Sequence, residues 1–107
     1  MTTITEIHIP VDHPAFAGHF PGTPIVPGVV LLDETLLAIA ALGGVSADRC
    51  AISSVKFRSV VRPGEAVTLR FEFVGPNSIR FELRSVDRPV ASGALTVESA
   101  IGTTGGR

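Results

Sequence analysis

One stretch of the chain, Gly18-His19-Phe20-Pro21-Gly22-Thr23-Pro24-Ile25-Val26-Pro27-Gly28-Val29-Val30-Leu31-Leu32-Asp33, combines residue types that can move protons beside a carbonyl. His19 stands in a loop stiffened by Pro14, Pro21 and Pro24, and an imidazole exchanges protons near neutrality. Asp33 falls about one and a half turns inside an apolar helical pattern. A carboxylate there loses hydration and must be paired, hydrogen-bonded or protonated. Desolvation favours the protonated carboxyl, the form that donates a proton. Gly28, between the two, occupies a first helical turn whose N–H groups lack helical partners. With no side chain in the way, that N–H can approach a ligand carbonyl and, with the helix dipole, hold negative charge on it. A base, an acid and an oxyanion donor around one pocket suit proton abstraction next to a carbonyl with loss of a leaving group.

The elements that must position these residues follow from the hydropathy pattern. Ile4, Ile7 and Ile9 around Glu6 and His8 predict a short first strand that ends at Pro10. Prolines and glycines between Val11 and Val26 exclude regular structure there. From Pro27 to Leu42 the run is helix-compatible and stops at Gly43-Gly44, with Pro27 suited to the first helical position. It is apolar nearly all the way round, which predicts burial on most sides. Alternation then predicts strands over Val55–Val61, Val67–Val74, Ile79–Arg84 and Val90–Val97, separated by turns at Arg62-Pro63-Gly64-Glu65, Gly75-Pro76-Asn77 and Asp87-Arg88-Pro89. The expected architecture is α+β, an antiparallel β-sheet wrapped around a central buried α-helix: the hotdog fold. Residues 1–101 are expected to make one domain and the Gly/Thr tail, 102–107, to be disordered.

Composition narrows the classes of function. The 107 residues are 45% hydrophobic and 18% charged, enough for one core and too apolar for a disordered chain. The single cysteine, Cys50, excludes an internal disulfide and is expected to be a buried small hydrophobe in a reducing setting. The N-terminus lacks the basic and apolar regions of a signal peptide, and Val29–Leu42 is too short for a membrane span, so a cytoplasmic protein is expected. Residues 1–48 carry five acidic side chains and no Lys or Arg, whereas 49–107 carry nine basic against five acidic. Arg58, Arg62, Arg70, Arg80 and Arg84 could therefore form a positive surface for an acidic partner, or simply solvated strand faces. With no Trp or Tyr and a net charge of -1, nucleic acid is not an expected partner.

The segment GHFPGTPIVPGVVLLDE resembles the active-site segment of the hotdog-fold 3-hydroxyacyl-acyl-carrier-protein dehydratases, and the similarity continues through Val55-Lys56-Phe57-Arg58 and Arg62-Pro63-Gly64-Glu65. In length the chain is similar to the small, aryl-polyene-type members. The resemblance implies that His19 is the catalytic histidine, Asp33 the helical carboxylate and Gly28 the thioester-binding amide, with Phe20 and Val29 beside the acyl chain. It implies two subunits that pair their sheets, His19 of one combining with Asp33 of the other, in a homodimer, a higher oligomer or a mixed oligomer with a second hotdog subunit. The implied substrate is a 3-hydroxyacyl thioester carried on the phosphopantetheine of an acyl carrier protein or on coenzyme A, with no cofactor. Glu34-Thr35-Leu36-Leu37 departs from the Ala and Gln usual after the acid in the family.

Competing assignments are weaker. Glu34 stands about 100° round the helix from Asp33 and cannot point at the same spot. His8, Asp12, His13 and His19 match no compact ligand spacing, so no metal is expected. A hotdog thioesterase would need the helical carboxylate but not the His-Phe-Pro loop. A reading from a different class is a non-catalytic acyl-binding or structural subunit that pairs with an active partner in a mixed dimer. No nucleophile elbow, P-loop or dinucleotide fingerprint points to another enzyme class.

Overall fold

A computed structural model of the chain describes residues 2–9 and 25–98. Strand β1 (Thr2–His8) is followed by helix α1 (Gly28–Gly43), a single 3-10 turn (Ala47–Arg49), and strands β2 (Cys50–Phe57), β3 (Ala66–Gly75), β4 (Ser78–Arg84) and β5 (Pro89–Val97). All pairings are antiparallel, in the order β1-β3-β4-β5-β2. The two strands that flank the helix in sequence thus occupy opposite edges of the sheet; the helix begins against Phe57 of β2 and ends against Phe71 and Phe73 of β3.

Strand alternation directs one side chain in two to a common core, except at Val90-Ala91, where the register against β4 shifts and both are buried. Leu69 and Phe71 of β3, Ile79, Phe81 and Leu83 of β4, and Val90, Ala91 and Leu95 of β5 join Leu31 and Ile39 of the helix in one buried cluster. Burying each large side chain contributes about 1.5 to 3 kcal/mol. Leu31, Thr35 and Ile39, four residues apart, form the buried stripe of α1. Thr35 is polar, and its hydroxyl donates to the Leu31 carbonyl at 2.7 Å, so its burial leaves no unmet donor. Gly44 ends the helix with φ 72°, the left-handed conformation glycine adopts without steric cost.

Four expectations need correction. The helix is not enclosed on most sides: a sheet covers one face, and Val29, Asp33, Leu37 and Ala41 are exposed along the other. Pro27 caps the helix from just outside it (φ -60°, ψ 144°), with its carbonyl accepting from Val30 and Leu31. The strand expected over Val55–Val61 begins at Cys50 and ends at Phe57. An irregular register between Ile52 and Ser54 hides its period, and beyond Phe57 the N–H groups of Arg58 and Ser59 both turn to the Val90 carbonyl. Cys50 is half-buried; its thiol lies 3.5 Å from the Ser46 carbonyl, and partial burial pushes it above the usual thiol range.

The arginines are also distributed differently from a single positive patch. On the outer sheet face Arg70 stands opposite Glu82 and Arg80 opposite Glu72, while Arg84 faces Thr68. Opposite charges in register across strands are mildly stabilising and cancel in the far field. Arg58 and Arg62, outside this arrangement, remain exposed.

A polar knot closes one end of the sheet. The two oxygens of Glu65 pair with Arg88, at 2.8 and 3.0 Å, and accept from the Arg62 N–H and the Ser85 hydroxyl. The Arg88 guanidinium is the largest influence holding the Glu65 carboxyl down, from 4.5 to about 2. A carboxyl depressed on folding stabilises the native state fully above its unfolded value and loses that contribution as pH falls toward the folded one. The difference in melting temperature between the wild type and Glu65→Gln is therefore expected to be largest above about pH 4.5 and to shrink between pH 4.5 and 2. A pH-independent difference in calorimetric scans would contradict the ion-pair account.

Candidate active site

The start of α1 is built from a short approach and a packed ring. Val26 donates its N–H to the Val61 carbonyl at 2.7 Å, fixing the chain just before Pro27. The fixed φ of Pro27 then sets Gly28 at the first helical position, where the dipole concentrates partial positive charge. The ring of Phe57, from the end of β2, lies against Gly28: a Cβ built there would sit 2.9 Å from the Phe57 Cζ. Any side chain at position 28 would have to push the ring aside, so the close packing favours glycine. Beside this contact opens a largely apolar cavity of about 660 Å³, lined by Val26, Pro27, Gly28 and Leu31 together with Phe57 and Val60. Arg58 and Ser59 border it, and Arg58 supplies positive charge at its edge.

The predicted site residues divide into three groups. Gly28 lines the cavity. Val29 and Asp33, four residues apart, share the exposed face of α1 and do not line that cavity within one chain. Val29 is 71% exposed and Leu37, on the same stripe, 56%. An acid flanked by two outward-facing apolar side chains is thus presented away from its own core. His19 and Phe20 lie outside the described residues, as do Asp12, His13 and the tail. His8 stands on the exposed side of β1. Among the described residues no three His, Cys, Asp or Glu side chains gather closely enough to hold a metal ion, and no helix is long and apolar enough to cross a membrane.

Phe57, Ser59 and Val60 were not singled out by chemistry in the sequence. Their spacing marks only a strand, and what brings them to the helix start is the departure of the chain from β2 after Phe57. The run Val55-Lys56-Phe57-Arg58 is the one signal that could have located this wall.

A family model described as ApeI-like, ApeI dehydratase, matches residues 1–94. Among curated proteins, a 3-hydroxyacyl-[acyl-carrier-protein] dehydratase FabZ of Chlamydia trachomatis serovar L2 is 35% identical over 81 residues, covering 67% of this chain and 53% of that protein. The chain thus spans about half the length of that curated relative. Among solved structures, the dehydratase heterocomplex ApeI:P from Xenorhabdus doucetiae superposes with a TM-score of 0.73 at 22% identity, over 92% of this chain and 88% of that one. The fluoroacetyl-CoA thioesterase FlK superposes with a TM-score of 0.64 at 15% identity, over 99% and 91% of the two chains. At these identities the structures show a common fold, the α+β hotdog arrangement of one helix against an antiparallel sheet.

Proposed function

The chain belongs to the ApeI-like dehydratase family, and from that premise we propose that it reversibly removes water from a 3-hydroxyacyl thioester to give the trans-2-enoyl thioester. His19 takes the C2 proton as general base. The Gly28 amide receives the thioester oxygen as enolate character develops, and Asp33 assists departure of the C3 hydroxyl as water. The apolar cavity beside Gly28, with Phe20 and Val29, takes the start of the acyl chain. No cofactor takes part: the acyl group arrives on the phosphopantetheine of an acyl carrier protein or on coenzyme A.

The observation that carries this reading is the outward display of Asp33 between Val29 and Leu37, on the helix whose first residue, Gly28, lines the cavity. An acid that faces away from its own chain's pocket suits a site completed by a second subunit, with His19 of one chain working on Asp33 of the other. We propose a homodimer or higher oligomer, or a mixed pair with a second hotdog chain; the ApeI:P dehydratase, itself a heterocomplex, supports the mixed arrangement. The enzyme is proposed to act in the cytoplasm. The test is to supply a 3-hydroxyacyl thioester and follow enoyl absorbance alongside free thiol. Enoyl formation supports dehydration, whereas thiol release without it would make the chain a thioesterase.

Arg58 gives a further expectation. Carrier proteins are acidic, and this exposed cation borders the cavity. Arg58→Ala is expected to raise KM for a carrier-linked substrate several-fold more than for a short thioester mimic, with kcat nearly unchanged. Equal effects on both substrates in steady-state assays would remove the carrier from this surface.

A further inference from the structure

We infer that Arg88 and Glu65 are positioning residues for the Gly28 amide, acting through the segment 58–61; the inference deepens the dehydratase reading and rests on it for its catalytic consequence. Arg88 meets Glu65 at two points, Nη1 to Oε2 at 2.8 Å and Nη2 to Oε1 at 3.0 Å. Two-point pairing fixes the plane of the guanidinium as well as its place. Held in that plane, Nη2 also donates to the Val60 carbonyl at 2.6 Å. The next carbonyl along, that of Val61, accepts the Val26 N–H at 2.7 Å, and Gly28 follows two residues after Val26.

The route from the ion pair to the helix start is therefore one carbonyl, one peptide unit and one hydrogen bond. Among the described residues few other polar contacts set that start. Pro27 has no side-chain group with which to cap the helix, so the Val26–Val61 bond and the proline ring, with the Phe57 ring packed on Gly28, hold Gly28 in place. The segment itself is strapped to β5 by the Arg58 and Ser59 N–H groups on the Val90 carbonyl and by the Ser59 hydroxyl on the Pro89 carbonyl. Arg88 ties down its far end. It also holds Val60, which lines the same cavity as Gly28. An oxyanion donor works only when held close to its productive place, because a misplacement of about 1 Å costs roughly a hundred-fold in rate. An ion pair that does not line the cavity can in this way control catalysis.

The test uses the full chain, isotopically labelled, as wild type, Arg88→Met, Arg88→Lys and Glu65→Gln. Arg88→Met is expected to speed hydrogen exchange at the Val26 amide and to shift the Gly28 amide resonance, leaving Leu69 and Phe71 in β3 unmoved. On the same samples kcat for enoyl formation is expected to fall roughly ten- to a hundred-fold with KM within about two-fold. Glu65→Gln is expected to behave likewise, and Arg88→Lys, which keeps the charge but loses the fork, to recover only part of the loss. Unchanged Val26 exchange and Gly28 resonance in both Arg88→Met and Glu65→Gln would overturn the inference. So would a uniform rise in exchange across the sheet, which marks general destabilisation. If the Val26 and Gly28 signals respond but the wild type forms no enoyl product, the positioning stands and the dehydratase reading falls.

Discussion

Replacing His19 by alanine is expected to lower the rate of enoyl formation by roughly 10²- to 10⁴-fold, the usual contribution of a positioned general base, and Asp33→Asn to lose activity on the same scale. The amide of asparagine keeps the shape of the carboxyl but cannot deliver a proton to the departing hydroxyl. Because Asp33 is exposed on α1 and joins no core cluster of its own chain, its replacement should leave the fold intact. Light scattering and circular dichroism of both variants must match the wild type for the comparison to count. A sharper version follows from the proposed sharing of the site between subunits. Mixing the two inactive variants should restore about a quarter of wild-type activity in randomly reassorted dimers, since one of the two sites in each mixed dimer has both intact residues and such dimers make up about half the population. No recovery under conditions where subunits exchange would place both residues in one chain. A wild type that is folded but inactive on carrier-linked substrates of several lengths would move the assignment to a non-catalytic subunit, and co-purification with a second hotdog chain would be the next step.

Gly93→Ala is expected to cost roughly 3 kcal/mol and to lower Tm by roughly 12 °C or more, and Gly93→Val is expected not to fold. A Cβ at this position in β5 would lie 2.3 Å from the Ser54 carbonyl oxygen and 2.9 Å from the Phe81 ring. The ring could turn, but the Ser54 oxygen belongs to the backbone of the neighbouring strand and cannot move without breaking the β2–β5 pairing. The register of β2 is irregular next to this carbonyl, between Ile52 and Ser54. Gly75→Ala is the control: nothing lies within 4 Å of a Cβ there, and its Tm should change little. Gly28→Ala should fall between them, since it meets the far end of the Phe57 side chain, which has one exposed edge along which to shift. Thermal denaturation of the four variants would order them; equal losses at positions 75 and 93 would refute the steric account.

Phe81 and Leu31 show how far local pattern reaches. The period-two alternation of Ile79, Phe81 and Leu83 places β4 and its buried face from the sequence alone, because a strand has only two faces and water selects between them. Gly43-Gly44 likewise places the end of α1, since no other residue adopts the left-handed conformation as cheaply. The proposed site residues His19, Gly28 and Asp33 could be picked out together for a related reason, as they lie in one contiguous segment.

What could not be read is whatever depends on two distant segments meeting. Helical apolarity said that α1 is buried but not by what, and a single sheet covers only the Leu31, Thr35 and Ile39 stripe, so Asp33 faces outward. The ring of Phe57 on Gly28, the closeness of Gly93 to Ser54, and the pairing of Glu65 with Arg88 each join residues far apart in sequence. Charge counting could not tell that Arg70 and Arg80 stand opposite glutamates, because that is a matter of strand register. Local interactions set period, turn and chemical inventory, and these the sequence determines by itself. Which faces meet, which side chain needs a glycine opposite it, and which carbonyl an arginine can reach are decided only when long loops close and strands pair, a cost recovered solely through contacts that no local pattern encodes.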